Sequence, residues 1–237
     1  MSGLNYADHK TFSKYTLKWK ELHFIKKNIK KREFVRWFRS QYDFIICYHG
    51  CRPKDVSEYY RKGFFPSNFP ETMQAFEQLL DDTGYHFPYD VSHVLETYQG
   101  KTNRFVYVIL DDEDFIDRAP HYIIYGSETM LSLAENVSPT IKTRLRNTGI
   151  PTIFHLKVPL ARISDCELVS LYQQIVSSNG SMEQRRLHIF SNYTIIIEPS
   201  LGADCIIGHS HPTDLLYDQH ARQYYQNKTA RCCACST

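Results

Sequence analysis

Asp43-Phe44-Ile45-Ile46-Cys47-Tyr48-His49-Gly50-Cys51-Arg52-Pro53 begins with an apolar run that fills both alternating sets of positions. Such a run predicts a strand over 43–48 buried on both faces, because a half-exposed strand would alternate apolar with polar residues. His49-Gly50 ends the run. Pro53 then opens a helix over 54–62, which Gly63 stops.

On the N-terminal side, Leu17, Phe24, Ile25, Ile29, Phe34 and Phe38 recur every three or four residues, predicting one or two helices over 17–40. On the C-terminal side, helices are expected over 71–82, stopped by Gly84, and over 91–98, stopped by Gly100. β-prone runs follow at 104–110, 121–125, 152–158, 193–198 and 204–207, with helical stretches at 128–136 and 167–176. Helices dominate the first half and strands the second, without βαβ alternation, so the expected fold class is α+β. No Gly-x-Gly-x-x-Gly follows a strand and no P-loop is present, which argues against a Rossmann or P-loop nucleotide site.

With 237 residues the chain fits one domain with short flanking elements, expected as 1–40, 41–215 and 216–237. Its 42% hydrophobic and 23% charged residues exclude a disordered chain. No apolar run approaches the roughly 18–20 residues that span a bilayer, and residues 1–10 lack a signal core. A cytoplasmic protein with no membrane partner is therefore expected. Seven cysteines, an odd number, fit reduced thiols better than a disulfide framework. No metal site is expected. Cys232-Cys233-Ala234-Cys235 has no second pair nearby, and His209-Ser210-His211 reads as a surface loop without Cys at ligand spacing.

Charge is distributed unevenly. Residues 9–40 carry eleven Lys or Arg (Lys10, Lys14, Lys18, Lys20, Lys26, Lys27, Lys30, Lys31, Arg32, Arg36, Arg39) against Glu21 and Glu33. Interleaved aromatics make this segment a candidate nucleic-acid face. The same pattern equally describes an amphipathic helix whose aromatics pack inward while its lysines stay solvated.

Two segments carry candidate chemistry. Tyr48-His49-Gly50-Cys51-Arg52 places a histidine at a strand end beside a glycine that would let a ligand approach the backbone. A turn histidine bonded to neighbouring backbone is the plain alternative. Tyr122-Ile123-Ile124-Tyr125-Gly126-Ser127-Glu128 reads as a strand delivering tyrosines to a Gly-Ser turn, with Glu128 in the first turn of the next helix.

The order strand, Tyr48-His49-Gly50, a charged helix ending in Lys62-Gly63-Phe64, then Tyr125-Gly126-Ser127 and a helix containing Ala134 resembles the ADP-ribosyltransferase superfamily. It is more similar to the His-Tyr-Glu branch, with diphtheria-type toxins and poly(ADP-ribose) polymerases, than to the Arg-Ser-Glu branch. The likeness spans Asp43 to about Gly208. It implies a split β-sheet core, NAD as substrate, His49 on the ribose hydroxyl, and Tyr125 (or Tyr122) stacked on nicotinamide. Tyr48, Gly50, Arg52 and Ser127 would complete the pocket. The branch's catalytic Glu falls where this chain has Asn192, so the resemblance leaves Asn192, Glu128 or Glu198 for that role, and Glu183 with Arg185 and Arg186 for the acceptor.

The implied activity is mono-ADP-ribosylation by a toxin or antiviral defence effector. Its acceptor would be RNA or DNA held by the basic segment, or a protein, with an antitoxin or inhibitory protein as a further partner. The alternatives are an NAD glycohydrolase and a non-catalytic module of the same shape. Breaking the nicotinamide–ribose bond passes through an oxocarbenium-like state, so a stacking ring and one carboxylate beside the developing cation form a sufficient set.

Overall fold

The computed structural model describes residues 10–15, 19–81, 104–177, 193–229 and 231–236. Its elements begin with β1 (Thr11–Phe12), α1 (Trp19–Asn28), α2 (Lys31–Gln41), β2 (Phe44–Cys51), α3 (Ser57–Lys62), α4 (Phe69–Asp81) and β3 (Val106–Ile109). Four helices follow, over Asp112–Arg118, His121–Tyr125, Glu128–Val137 and Pro139–Asn147. Then come β4 (Thr152–Pro159), a helix over Asp165–Ser177, β5 (Thr194–Ile197), β6 (Ile206–Ser210), β7 (Leu215–Asp218) and β8 (Gln223–Gln226). Among the described residues this is a mixed helix–sheet fold, and no helix is long and apolar enough to cross a membrane. The helix expected over 91–98 lies outside the described residues.

β2 organises the molecule. The main sheet runs β5-β3-β2-β4-β6, with β4 paired along the whole of β2 from Phe44↔Pro159 to Cys51↔Thr152. The other edge of β2 is shared: β1 pairs parallel with its start and β3 antiparallel near its end. Side chains of β2 alternate between two cores, as strand geometry requires. Ile45, Cys47 and Cys51 point into a first core with Phe34, Phe38, Leu168 and Leu171. Ile46 and Tyr48 point into a second with Phe76, Ile123, Ile124, Tyr125 and Leu131. Helices cover both faces, which is why the 43–48 run is apolar throughout.

The basic segment belongs to the first core. α2 places Phe34 and Phe38 at 0% exposure, each burial contributing about 1.5–3 kcal/mol. Arg39 donates to the carbonyls of Leu160 and Ile163 and to Asp165. Lys14 is likewise inside, 2.7 Å from Asp111 and 2.6 Å from Asp112. Burial alone would lower its pKa, but these two carboxylates reverse the sign and hold it charged. What remains on the outside of α1 and α2 is a set of exposed cations, including Lys27, Lys30, Lys31, Arg32 and Arg36.

Two expectations are corrected. The run 121–125 is a one-turn helix rather than a strand, bracketed by Pro120 at φ −62° and Gly126 in the left-handed region at φ 84°. Packing of Ile123, Ile124 and Tyr125 into the second core overrides the β preference of Ile-Ile. The stretch 216–237, expected from its composition as a polar, Cys-containing tail, contains β8 and most of β7, which pair from Leu215↔Gln226 to Asp218↔Gln223 as a folded hairpin with Leu216 and Tyr225 in the second core.

Candidate active site

His49 follows Cys47 onto the first-core face, where its ring meets Phe64 edge to face at 4.9 Å. Its Nδ1 lies 2.9 Å from the Tyr107 carbonyl, which must accept, so the proton sits on Nδ1 and Nε2 is left as an acceptor. Burial pushes the imidazole pKa down, and donation to Tyr107 opposes this only in part, so the ring is neutral at pH 7. Because β3 and β5 both run antiparallel to their neighbours, the end of β2, the start of β3 and the end of β5 share one edge of the sheet.

A cleft of about 600 Å³ opens at that edge, lined by Phe65, Asn68, Glu71, Arg104, Phe105 and Glu198 among others. The segment after α3 links the two places. Phe64 bridges Leu201 through a pair of backbone hydrogen bonds, and Phe65 forms part of the cleft wall. Aromatic, cationic and carboxylate groups therefore converge in this cleft; His49 is not among the residues that line it and is linked to it through Phe64, the residue before Phe65.

The remaining sequence-selected residues lie elsewhere. Tyr48 is 1% exposed in the second core, edge to face with His155 at 5.3 Å. Gly50 admits no ligand: a Cβ there would sit 2.1 Å from the Phe115 ring, so the glycine makes room for packing. Tyr125 donates to Asp218 Oδ2 at 2.6 Å, and burial together with this bond pushes its hydroxyl pKa up. Arg52 donates to the Thr148 carbonyl and the Tyr225 hydroxyl, at 2.7 and 2.8 Å. Arg146 approaches Asp218 at 3.7 Å and covers the same Tyr225 ring from 5.0 Å. These groups dock the β7–β8 hairpin.

Ser127 caps the following helix by accepting from the Met130 N–H at 3.4 Å. Glu128 is mostly exposed, 3.3 Å from His121 Nε2 and hydrogen-bonded with Tyr122. The sheet thus separates His49 from Tyr125, Arg52 and the helix that Glu128 opens. Asn192, Glu183, Arg185 and Arg186 lie outside the described residues.

One constellation escaped the sequence reading. His209 lies on β6, paired with Phe154, and His211 is buried immediately after it. Cys232 and Cys235 return to the same place, and the four potential ligand atoms lie within 4.8 Å of one another. The available signal was two ligand-spaced pairs, His-x-His and Cys-x-x-Cys, with residues 212–231 between them.

No protein-family model and no curated protein matches the chain. Among solved structures, EcPltA is similar over 77% of this chain and 82% of its own, at 13% identity and a TM-score of 0.33. A likeness at that level carries no argument about fold or activity.

Proposed function

We propose that this chain is an NAD-consuming ADP-ribosyltransferase whose substrate lies in the cleft beside His49. The observation that carries the reading is the neutral imidazole of His49. Its tautomer is set by the Tyr107 carbonyl, and its ring packs on Phe64, the residue before Phe65 of the cleft wall. Nε2 accepts from a ribose hydroxyl, Phe65 and Phe105 offer faces for a planar ring, and Arg104 suits a phosphate oxygen. Glu198, on the cleft wall, is the carboxylate of choice; Glu128 opens a helix that packs on the opposite face. The exposed cations of α1 and α2 favour a phosphate-bearing acceptor.

The test is nicotinamide release from NAD by the purified chain, alone and with RNA, DNA or protein as acceptor. Release that rises with one acceptor, with label entering it, supports transfer and names the acceptor class. Release to water alone makes the protein an NAD glycohydrolase. Glu198→Gln should lower turnover more than NAD affinity. A folded wild-type chain that neither binds NAD nor releases nicotinamide overturns the reading.

A further inference from the structure

We propose that His209, His211, Cys232 and Cys235 form a closed tetrahedral zinc site that staples the C-terminal segment to the edge of the main sheet. The Cys232 and Cys235 sulfurs are 3.8 Å apart, and His209 Nε2 lies 3.4 and 3.3 Å from them. Zinc bonds of about 2.3 Å to sulfur and 2.0–2.1 Å to nitrogen place tetrahedral ligands about 3.8 Å apart for S–S and about 3.6 Å for N–S. The three atoms are therefore already at zinc spacing. His211, within 4.8 Å of the rest, completes the set with a shift of about an ångström.

Both histidines are oriented as ligands. The Pro151 carbonyl accepts from His211 Nδ1 at 2.8 Å, which fixes the proton there. His211 Nε2 is buried with no hydrogen-bond partner among the described residues. A lone pair buried without a partner is costly unless something takes it, and a cation does. His209 is oriented alike: Nδ1 is 2.7 Å from the Tyr60 hydroxyl, which can accept from it, and Nε2 faces the sulfurs. Such outer partners hold a metal-ligating imidazole in the correct tautomer and orientation. Around Cys232, the backbone N–H groups of Ala234 and Cys235 point at the sulfur, the outer hydrogen bonds that a metal-bound thiolate accepts.

Two thiolates and two imidazoles in a tetrahedron select zinc over hard cations. Binding converts two thiols to thiolates and releases two protons, leaving a neutral cluster that suits partial burial. Four protein ligands leave no open position, so the role is structural. Its effect on the fold is specific. β6 is the last strand of the main sheet, and the linked Cys232-to-Cys235 turn, with Cys232 and Ala234 packed on the first core, covers it. Through His209 the ion also holds Tyr60 on α3, directly before the Phe64–Phe65 segment at the cleft.

The experiment is metal analysis of the full-length, untagged chain purified under reducing conditions without chelator. About one zinc per chain is expected, and cobalt replacement should give thiolate-to-cobalt charge-transfer absorption with tetrahedral visible bands. Chelation should lower Tm by about 5 °C or more, reversed by added zinc. Cys232→Ser and Cys235→Ser should lose the metal, whereas Cys233→Ser, an exposed neighbour outside the cluster, should keep it. If the serine variants fail to fold, the wild-type stoichiometry and cobalt spectrum still decide. Three results overturn the proposal: a wild-type chain that retains no zinc after reconstitution, a Cys233→Ser variant as zinc-free as Cys232→Ser, or a Cys232–Cys235 disulfide in the native protein.

Discussion

The two faces of the central sheet use polar groups in opposite ways. On the second-core face, Tyr125, Asp218, Arg146, Arg52 and Tyr225 satisfy one another, and Asp218, 1% exposed, also accepts from the backbone N–H groups of His220 and Ala221. On the first-core face, His49 spends one nitrogen on a backbone carbonyl and keeps the other as an acceptor. The difference teaches that a polar residue marks a ligand site only when its capacity is left over after folding. A closed network holds the fold, whereas an incomplete one is available for chemistry.

Breaking the closed network should cost the most. Asp218→Ala leaves a buried tyrosine hydroxyl, an arginine and two amides short of an acceptor, and should destabilise by about 3–5 kcal/mol in urea unfolding. Lys14→Met leaves Asp111 and Asp112 without their cation and should cost about 3 kcal/mol by the same measurement. Tyr125→Phe should lose about 1–3 kcal/mol with NAD affinity unchanged; a weakened affinity in a stable protein would place Tyr125 in the site after all.

His49→Ala should invert that pattern, weakening NAD binding by about tenfold, or about 1.4 kcal/mol, with a smaller effect on stability. Unchanged affinity in the folded variant would remove the contrast between the faces. Glu128→Gln, at an exposed position, should leave turnover unchanged and stability within about 0.5 kcal/mol.

Acidity sharpens the same comparison. His49 and His155 both have pKa values lowered chiefly by burial. Below the unfolded imidazole value of 6.5 the unfolded chain takes protons that the folded chain refuses. Stability is therefore full above pH 6.5 and falls as pH drops below it. Urea midpoints measured from pH 7.5 to 5 should decline, and His155→Gln should flatten the slope.

Local pattern carried the parts of the fold whose environment is uniform. The apolar run at 43–48 announced a doubly buried strand, and the three-to-four spacing of Phe34 and Phe38 announced α2. The run 121–125 misled because Ile-Ile prefers strands in isolation, and only contacts with distant helices make one helical turn better. At the candidate site His49 was legible as the polar residue after the apolar run, but not as a mid-ladder residue: β2 continues through His49 and Gly50 to Cys51 because β4 pairs with it that far. The engagement of Tyr125 and Arg52 was not legible, since their partners, Asp218 and Tyr225, lie 93 and 173 residues further on.

By itself the amino-acid order determined where the chain must be buried, because hydrophobic periodicity is a local property that each segment carries with it. It also supplied both halves of the Cys–His cluster. Only the tertiary structure decided which side of β2 each polar group faces and that Cys232 and Cys235 meet His209 and His211. Those outcomes depend on strand register and on the return path of the C-terminal segment. Both are set by the packing of the whole chain, because a one-residue slip would send every side chain of a strand to the other face.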